Sequence, residues 1–163
     1  MIVFILFSVV LLADQITKHL VRETMVLGQS IPVLGDVVRL TYVENPGIAF
    51  GIRVSHGWIF TILSILASIG ITIYLITQWK ESGWIKSSLA LILGGAIGNL
   101  IDRIAFAKVV DFVDVGFGNV RWPVFNVADS AVVVGMFILF ITLYQQEKKH
   151  TAEELAEVKE DPA

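Results

Sequence analysis

The sequence predicts an all-α integral membrane protein, with four transmembrane helices and a small extracytoplasmic β-sheet on the outer face. Three features lead there. Of the 163 residues, 55% are hydrophobic and only 17% charged, with a mean hydropathy of +0.75. A soluble domain carries about a quarter charged residues, so much of this chain's solvent is lipid. The stretch WIFTILSILASIGITIYLIT, residues 58–77, has no charged side chain and matches the roughly 20 residues that cross a bilayer core. Finally, the polar segment 22–57 holds a strand-like fragment, VVRLTYV, and a turn, ENPGIAFG, which suit a small sheet lying on the membrane.

The first span covers 2–21. Its apolar run, 1–13, is too short alone, but continued through Asp14 and Lys18 to Val21 it crosses, with the Lys18 stem reaching toward the interface. No basic stretch precedes the run and LLADQ lacks a small-x-small cleavage pattern, so a mature helix is expected rather than a cleaved signal. The second span covers 57–78, flanked by Trp58, Tyr74 and Trp79 as by an aromatic belt. The third covers 86–105 and the fourth 124–144. Residues 1–146 thus form one membrane-embedded domain, and 147–163 a charged, net acidic, frayed helical tail. In the turn, Pro46 fixes the first central residue and Gly47 accepts the positive φ of a type II turn. An even number of spans puts both termini on one side. Lys80, Lys86, Lys148 and Lys149 crowd that side's short segments, while Arg22, Arg39, Arg53, Lys108 and Arg121 spread over longer ones. By density this places both termini in the cytoplasm.

The sequence VVDFVDV, 109–115, sets Asp111 and Asp114 among valines and a phenylalanine. The two differ in parity, so a regular strand would turn one of them inward. A carboxylate taken from water needs a partner, a proton or a function. Helix rise at about 1.5 Å per residue carries Asp14 and Asp102 to the outer ends of spans one and three. Asp129 falls in the first turn of the inward-running span four, and VVDFVDV in the outer loop before it. Four stretches therefore bring acids to one level near one face.

Such groups cost about 2.5 to 3.5 kcal/mol each at a helix centre, against a net stability of about 5 to 15 kcal/mol, so something must compensate them. Asp14 has Lys18 four residues on, the spacing of a structural ion pair. Asn99 and Arg103 share a helix face that Asp102 borders, and this cluster suits either bracing or the binding of a substrate backbone. Asp111 and Asp129 lack a local basic partner. A helix cap is one reading of Asp129, while the apolar setting of Asp111 favours its protonated form. Side by side, the two would share one proton, as in aspartic proteases; as a cap and a loop acid, they would not. Asp114 reads as a loop acid facing water. The GxxxG spacing in GGAIG, 94–98, permits close helix packing, which would clamp Asn99 and Asp102 against a neighbour.

Other chemistries lack their residues. Without cysteine there are no disulfides or thiolate ligands. There is no HExxH or GxSxG, and His19, His56 and His150 are too scattered for a metal site. No metal or cofactor is expected. The pair Gly35 and Asp36 stands in the polar loop, away from any apolar span, and is set aside.

Five motifs in order resemble one family, the bacterial lipoprotein signal peptidases (signal peptidase II): DQITK at 14–18, NPGIAFG at 45–51, GGAIGNLIDR at 94–103, VVDF at 109–112 and FNVADS at 125–130. The resemblance implies an aspartyl endopeptidase that removes the signal peptide from diacylglyceryl-modified prolipoproteins, cutting on the amino side of the lipidated cysteine. It makes Asp111 and Asp129 the catalytic pair and puts Asn45, Gly47, Asn99, Arg103 and Asn126 around the substrate backbone. Asp14 and Lys18 become supports, and Asp102 positions Arg103 and nearby backbone. The outer loop would form a sheet cradling the substrate. The implied setting is the bacterial cytoplasmic (inner) membrane, with a lipidated prolipoprotein as substrate, membrane lipids as surroundings, a globomycin-type cyclic peptide as inhibitor, no nucleic acid, and a monomer. Phe112, Phe117, Trp122 and Phe125 would meet lipid or acyl chains, or anchor the chain at the interface. Two rivals differ in class. A small transporter or proton channel would need a polar path to the cytoplasmic face, which helix two and the inner halves of helices three and four barely supply. A non-catalytic lipoprotein-binding subunit would hold precursor without releasing product.

Overall fold

The computed structural model describes residues 1–49, 52–53, 58–77, 80 and 82–160. Phe50 and Gly51 of the NPGIAFG motif, Trp79 of the aromatic belt, His56, the ends of the second span at 57 and 78, and the last three residues of the tail lie outside the described residues. Four helices are long and apolar enough to cross a membrane: α1 (Ile2–Thr24), α2 (Trp58–Thr77), α3 (Gly83–Phe106) and α4 (Val127–Glu160). Many of their apolar side chains, such as Phe4, Leu12, Ile69, Phe137 and Phe140, are exposed on the isolated chain. Lipid solvates such faces, and the helices keep their backbone groups satisfied internally.

Helix α3 is the hub, with α1, α2 and α4 all packed on it. Its glycines explain why the backbones come so close. A Cβ at Gly94 would lie 3.1 Å from Val10 Cβ, and one at Gly98 would lie 2.6 Å from Asp14 Oδ2, so this pair, one turn apart, forms the groove for α1. A Cβ at Gly95 would lie 2.3 Å from the Ala128 carbonyl oxygen of α4. Away from the sheet, Val3, Leu75, Ile85, Leu89 and Ala90 bury one another as the core. The helix bounds differ slightly from expectation. Ser82 caps α3, its Oγ accepting from Ile85 N at 3.4 Å, so α3 begins before residue 86. Helix α4 begins only at Val127, because Asn126 serves as its cap, and it runs unbroken through Glu160.

The strands β1 (Ser30–Leu34), β2 (Val38–Asn45), β5 (Val109–Phe117) and β6 (Val120–Arg121) form an antiparallel sheet in the order β1-β2-β5-β6, and β3 (Ile48–Ala49) pairs with β4 (Ile52–Arg53). VVDFVDV is therefore strand rather than loop. Valines and phenylalanine favour it, and β2 supplies a partner along most of its length. The β2–β5 pairing shifts between Leu40↔Val113 and Val43↔Asp111, one residue more on β2 than on β5, as in a bulge. Buried Val21, Met25, Tyr42, Val110 and Phe112 fasten the sheet to the end of α1.

Two expectations need correction. Asp114 does not face water: it is buried, and accepts from Arg121 Nε at 2.6 Å and Thr41 Oγ1 at 2.7 Å. Burial pushes its carboxyl up, but these hydrogen bonds together outweigh it and hold the group below the usual carboxylate range. Phe112 lies in the core rather than against lipid, whereas Phe117 and Trp122 are exposed and Phe125 is half-buried. Gly47 takes φ +105°, as the Pro46 turn requires. A Cβ there would also strike the Phe60 ring at 2.5 Å.

Candidate active site

The two carboxyls singled out by the sequence meet through asparagine. Asn126 Nδ2 donates to Asp111 Oδ1 at 2.6 Å and to Asn99 Oδ1 at 3.1 Å. Asn99 Nδ2 in turn donates to Asp129 Oδ1 at 2.7 Å. The head of α4 fixes this geometry. Asn126 Oδ1 accepts from Asp129 N at 2.9 Å, and Asp129 Oδ2 accepts from Asn126 N at 3.3 Å. This is a reciprocal capping box, so Asp129 is a capping residue and, by the same geometry, a neighbour of Asp111. On the other side, Asn45 Nδ2 donates to Asp111 Oδ2 at 3.1 Å, while Asn45 Oδ1 accepts from Gly47 N at 3.0 Å. Burial pushes the Asp111 carboxyl up to about 6 and the charge of Asp129 adds to this, against the pull of Asn45, Asn126 and Lys18.

Behind the pair lies a second group of buried charges. Lys18, fully buried, reaches Asp14 Oδ2 at 2.8 Å and Asp102 Oδ2 at 3.1 Å, and donates to Asn99 Oδ1 at 2.8 Å. Arg22 Nη2 reaches Asp102 Oδ1 at 2.8 Å, its guanidinium 4.1 Å from the centroid of the Phe106 ring. Two cations thus face two carboxylates. Both carboxylates also accept backbone N–H groups: Asp14 Oδ1 from Ala128 at 2.9 Å and Asp102 Oδ2 from Val110 at 3.2 Å.

Arg103 does not follow the expected route. The side-chain partners of Asp102 are Lys18 and Arg22, because neighbouring helix positions point apart. Arg103 Nη1 instead donates to Ser64 Oγ on α2 at 3.2 Å. Its guanidinium still lies near enough to Asp129, Asp111 and Asp102 to interact with their charges. Beside Asp129 a groove of about 410 Å³ opens, lined by Trp122, Phe125, Ser130, Val133 and Val134. Among the described residues, no group of three or more His, Cys, Asp or Glu is arranged to hold a metal ion.

A family model described as Signal peptidase (SPase) II matches residues 6–145. The chain belongs to the signal peptidase II family. A curated relative named lipoprotein signal peptidase, from Halalkalibacterium halodurans, is 46% identical over 96% of this chain and 100% of its own length. One of the same name from Halothermothrix orenii is 45% identical over 90% and 97%, and one from Bacillus subtilis 39% identical over 94% and 100%. A solved structure described as a bacterial membrane enzyme, determined by the in meso method at 2.3 Å resolution, superposes with a TM-score of 0.79 at 29% identity, covering 90% of each chain. A second, at 1.9 Å resolution, gives 0.73 at 29% identity over 86% of this chain and 91% of that one.

Family membership removes the ground for the transporter reading, and the interior agrees. Toward the end of the bundle away from the sheet, the buried residues of α3 are Ile85, Ser88, Leu89, Ala90 and Ile92, and Ser88 Oγ is spent on the Ile85 carbonyl at 2.8 Å. Several residues bonded into this cluster of the signal peptidase II fold escaped sequence reasoning. Arg22 is one; it follows Asp14 and Lys18 at the same four-residue spacing, a signal that could have placed it on their face. Gln15, whose Nε2 donates to Asp14 Oδ2 and to the Gly98 carbonyl, both at 3.1 Å, and Ser64 have no such local signature.

Proposed function

We propose that this signal peptidase II is an aspartyl endopeptidase: it cuts the signal peptide from diacylglyceryl-modified prolipoproteins, on the amino side of the lipidated cysteine, using Asp111 and Asp129. One observation carries the reading: a single carboxamide, Asn126, hydrogen-bonds to Asp111 and caps the helix turn that presents Asp129. Carboxyls brought to about 3 Å of one another hold one proton between them, and the charge of Asp129 already acts on Asp111. The unprotonated member takes a proton from water, and the water oxygen bonds to the scissile carbonyl carbon. The protonated member donates its proton to the carbonyl oxygen. On collapse the carbon–nitrogen bond breaks, the leaving amine of the cysteine takes the proton first removed from water, and a hydroxyl of the tetrahedral intermediate returns a proton to the other carboxylate. Burial and the charge of Asp129 both favour the protonated form of Asp111.

Asn45, Gly47, Asn99, Arg103 and Asn126 line the approach and bind the substrate backbone, and the apolar groove beside Asp129 meets its greasy flank. A lipidated substrate enters sideways from the bilayer, which suits a site where sheet and helices join. The protein works as a monomer in the cytoplasmic membrane, with both termini in the cytoplasm and the site toward the outer leaflet. A globomycin-type peptide competes there. The test is purified protein acting on a diacylglyceryl-modified peptide and on its unlipidated twin. Asp111→Asn and Asp129→Asn should each lower kcat by about 10³-fold or more while the fold persists. Near-wild-type turnover in either variant refutes the pair, and equal cleavage of the unlipidated twin refutes the substrate class.

A further inference from the structure

Buried Lys18 serves neither as nucleophile nor as acid in the reaction above, yet it sits where three supports converge. Its ammonium contacts Asp14, Asp102 and Asn99. Each of the two acids holds one backbone N–H: Asp14 that of Ala128, and Asp102 that of Val110. Ala128 immediately precedes Asp129, and Val110 immediately precedes Asp111. Asn99, the third partner, is itself bonded to Asp129. The tether thus runs from one ammonium to the residue before each reacting carboxyl, and through Asn99 to the second carboxyl.

We propose that Lys18 is a positioning residue whose contacts with Asp14, Asp102 and Asn99 set the separation of the Asp111 and Asp129 carboxyls. The proposal rests on the catalytic pair argued above. Its physical basis is geometric. β5 and the head of α4 are already joined through β6, the Val113–Phe125 bridge and Asn126, but these bonds all lie on the sheet side. From the helix side, two buried clamps on one cation, Asp102 to Val110 and Asp14 to Ala128, hold the residue before each carboxyl. The cluster is also balanced, since Lys18 and Arg22 match Asp14 and Asp102, so it adds no net charge beside the reacting carboxyls. A misplacement of about 1 Å at reacting groups can lower a rate by about 10²-fold while leaving substrate binding nearly intact.

The experiment compares Lys18→Met with wild type and with Asp111→Asn, all full-length and purified, on a diacylglyceryl-modified peptide. Lys18→Met should lower kcat by about 10²-fold with KM changed by less than about threefold. Amide hydrogen exchange should quicken in segments 108–112 and 126–130 together, while the core of α3 stays protected. A folded Lys18→Met with unchanged kcat, or with a raised KM alone, overturns the proposal, as does exchange that quickens throughout the helices. Should Lys18→Met fail to fold, Asp14→Asn and Asp102→Asn carry the test. Each loosens one clamp and must lower kcat at constant KM, and an unchanged kcat in either overturns the proposal. An inactive Asp111→Asn beside a fully active Lys18→Met sinks the tether alone, whereas an active Asp111→Asn sinks the catalytic pair on which it depends.

Discussion

Asp14 and Asp102 meet cations, while Asp111 and Asp129 meet carboxamides. The first two accept from Lys18 and Arg22, in a cluster where all but Arg22 are fully buried. The other two accept from the side chains of Asn45, Asn99 and Asn126 and the backbone N–H of Asn126. A cation beside a buried carboxylate supplies the charge that desolvation demands. A carboxamide satisfies the hydrogen bond without supplying a charge, and with Arg103 and Lys18 acting only from a distance, burial and the charge of Asp129 still raise the Asp111 carboxyl. The same side chain, bordering one interior, is in one place a fastener and in the other the proposed reagent, and the difference lies in its partners.

The sharpest way to break this contrast is to remove a fastener. Asp102→Ala leaves Lys18 and Arg22 short of a carboxylate and should destabilise the chain by about 3 to 5 kcal/mol, read as a lowered unfolding midpoint in detergent. A loss below about 1 kcal/mol would mean that the cluster is no fastener. Asp111 should behave in the opposite sense. Its carboxyl, ordinarily at 3.8, sits at about 6 in the folded chain because of burial and Asp129, so the folded state keeps a proton that the unfolded state has lost. Its contribution to stability is complete below about pH 4 and lost as pH rises through about 6, a change of about 3 kcal/mol. Asp111→Asn removes that loss, so the inactive variant should be more stable than wild type at about pH 7, with the gap closing toward about pH 4. A gap independent of pH would contradict the assignment. The smallest effect belongs to a substitution that touches no charge. Gly95→Ala drives a methyl against the Ala128 carbonyl oxygen and should cost about 1 to 3 kcal/mol. It displaces the α4 turn that bears Asp129, so turnover should fall with it; full activity would show that distance at the pair is loosely controlled.

The contrast was half legible in the sequence. Asp14 and Lys18 were readable as a pair because four residues on a helix put them on one face, and the four spans were readable because lipid demands long apolar runs. The link from Lys18 to Asp102 spans 84 positions, and that from Asp14 to Ala128 spans 114; no local pattern carries such information. Asp114 was misread for the same reason. Its partner Thr41 lies 73 positions away, and Arg121 reaches it only through the β5–β6 turn. The strand itself was half visible, since VVDFVDV has the composition of a strand, but the pairing partner β2 that makes it one is distant. The groove beside Asp129 combines Trp122 and Phe125 with α4 residues a turn or more away, a surface that exists only once α4 is capped at Asn126.

That cap has one more implication. The amide of Asn126 has no ionisable hydrogen, so its bonds to Asp111 and to the α4 turn keep the same polarity whichever acid is charged. A frame of this kind keeps its bonding pattern whichever of the two carboxyls holds a proton. Replacing its keystone with an aspartate would put a third acid in the wall and let the frame itself change state as the reaction proceeds.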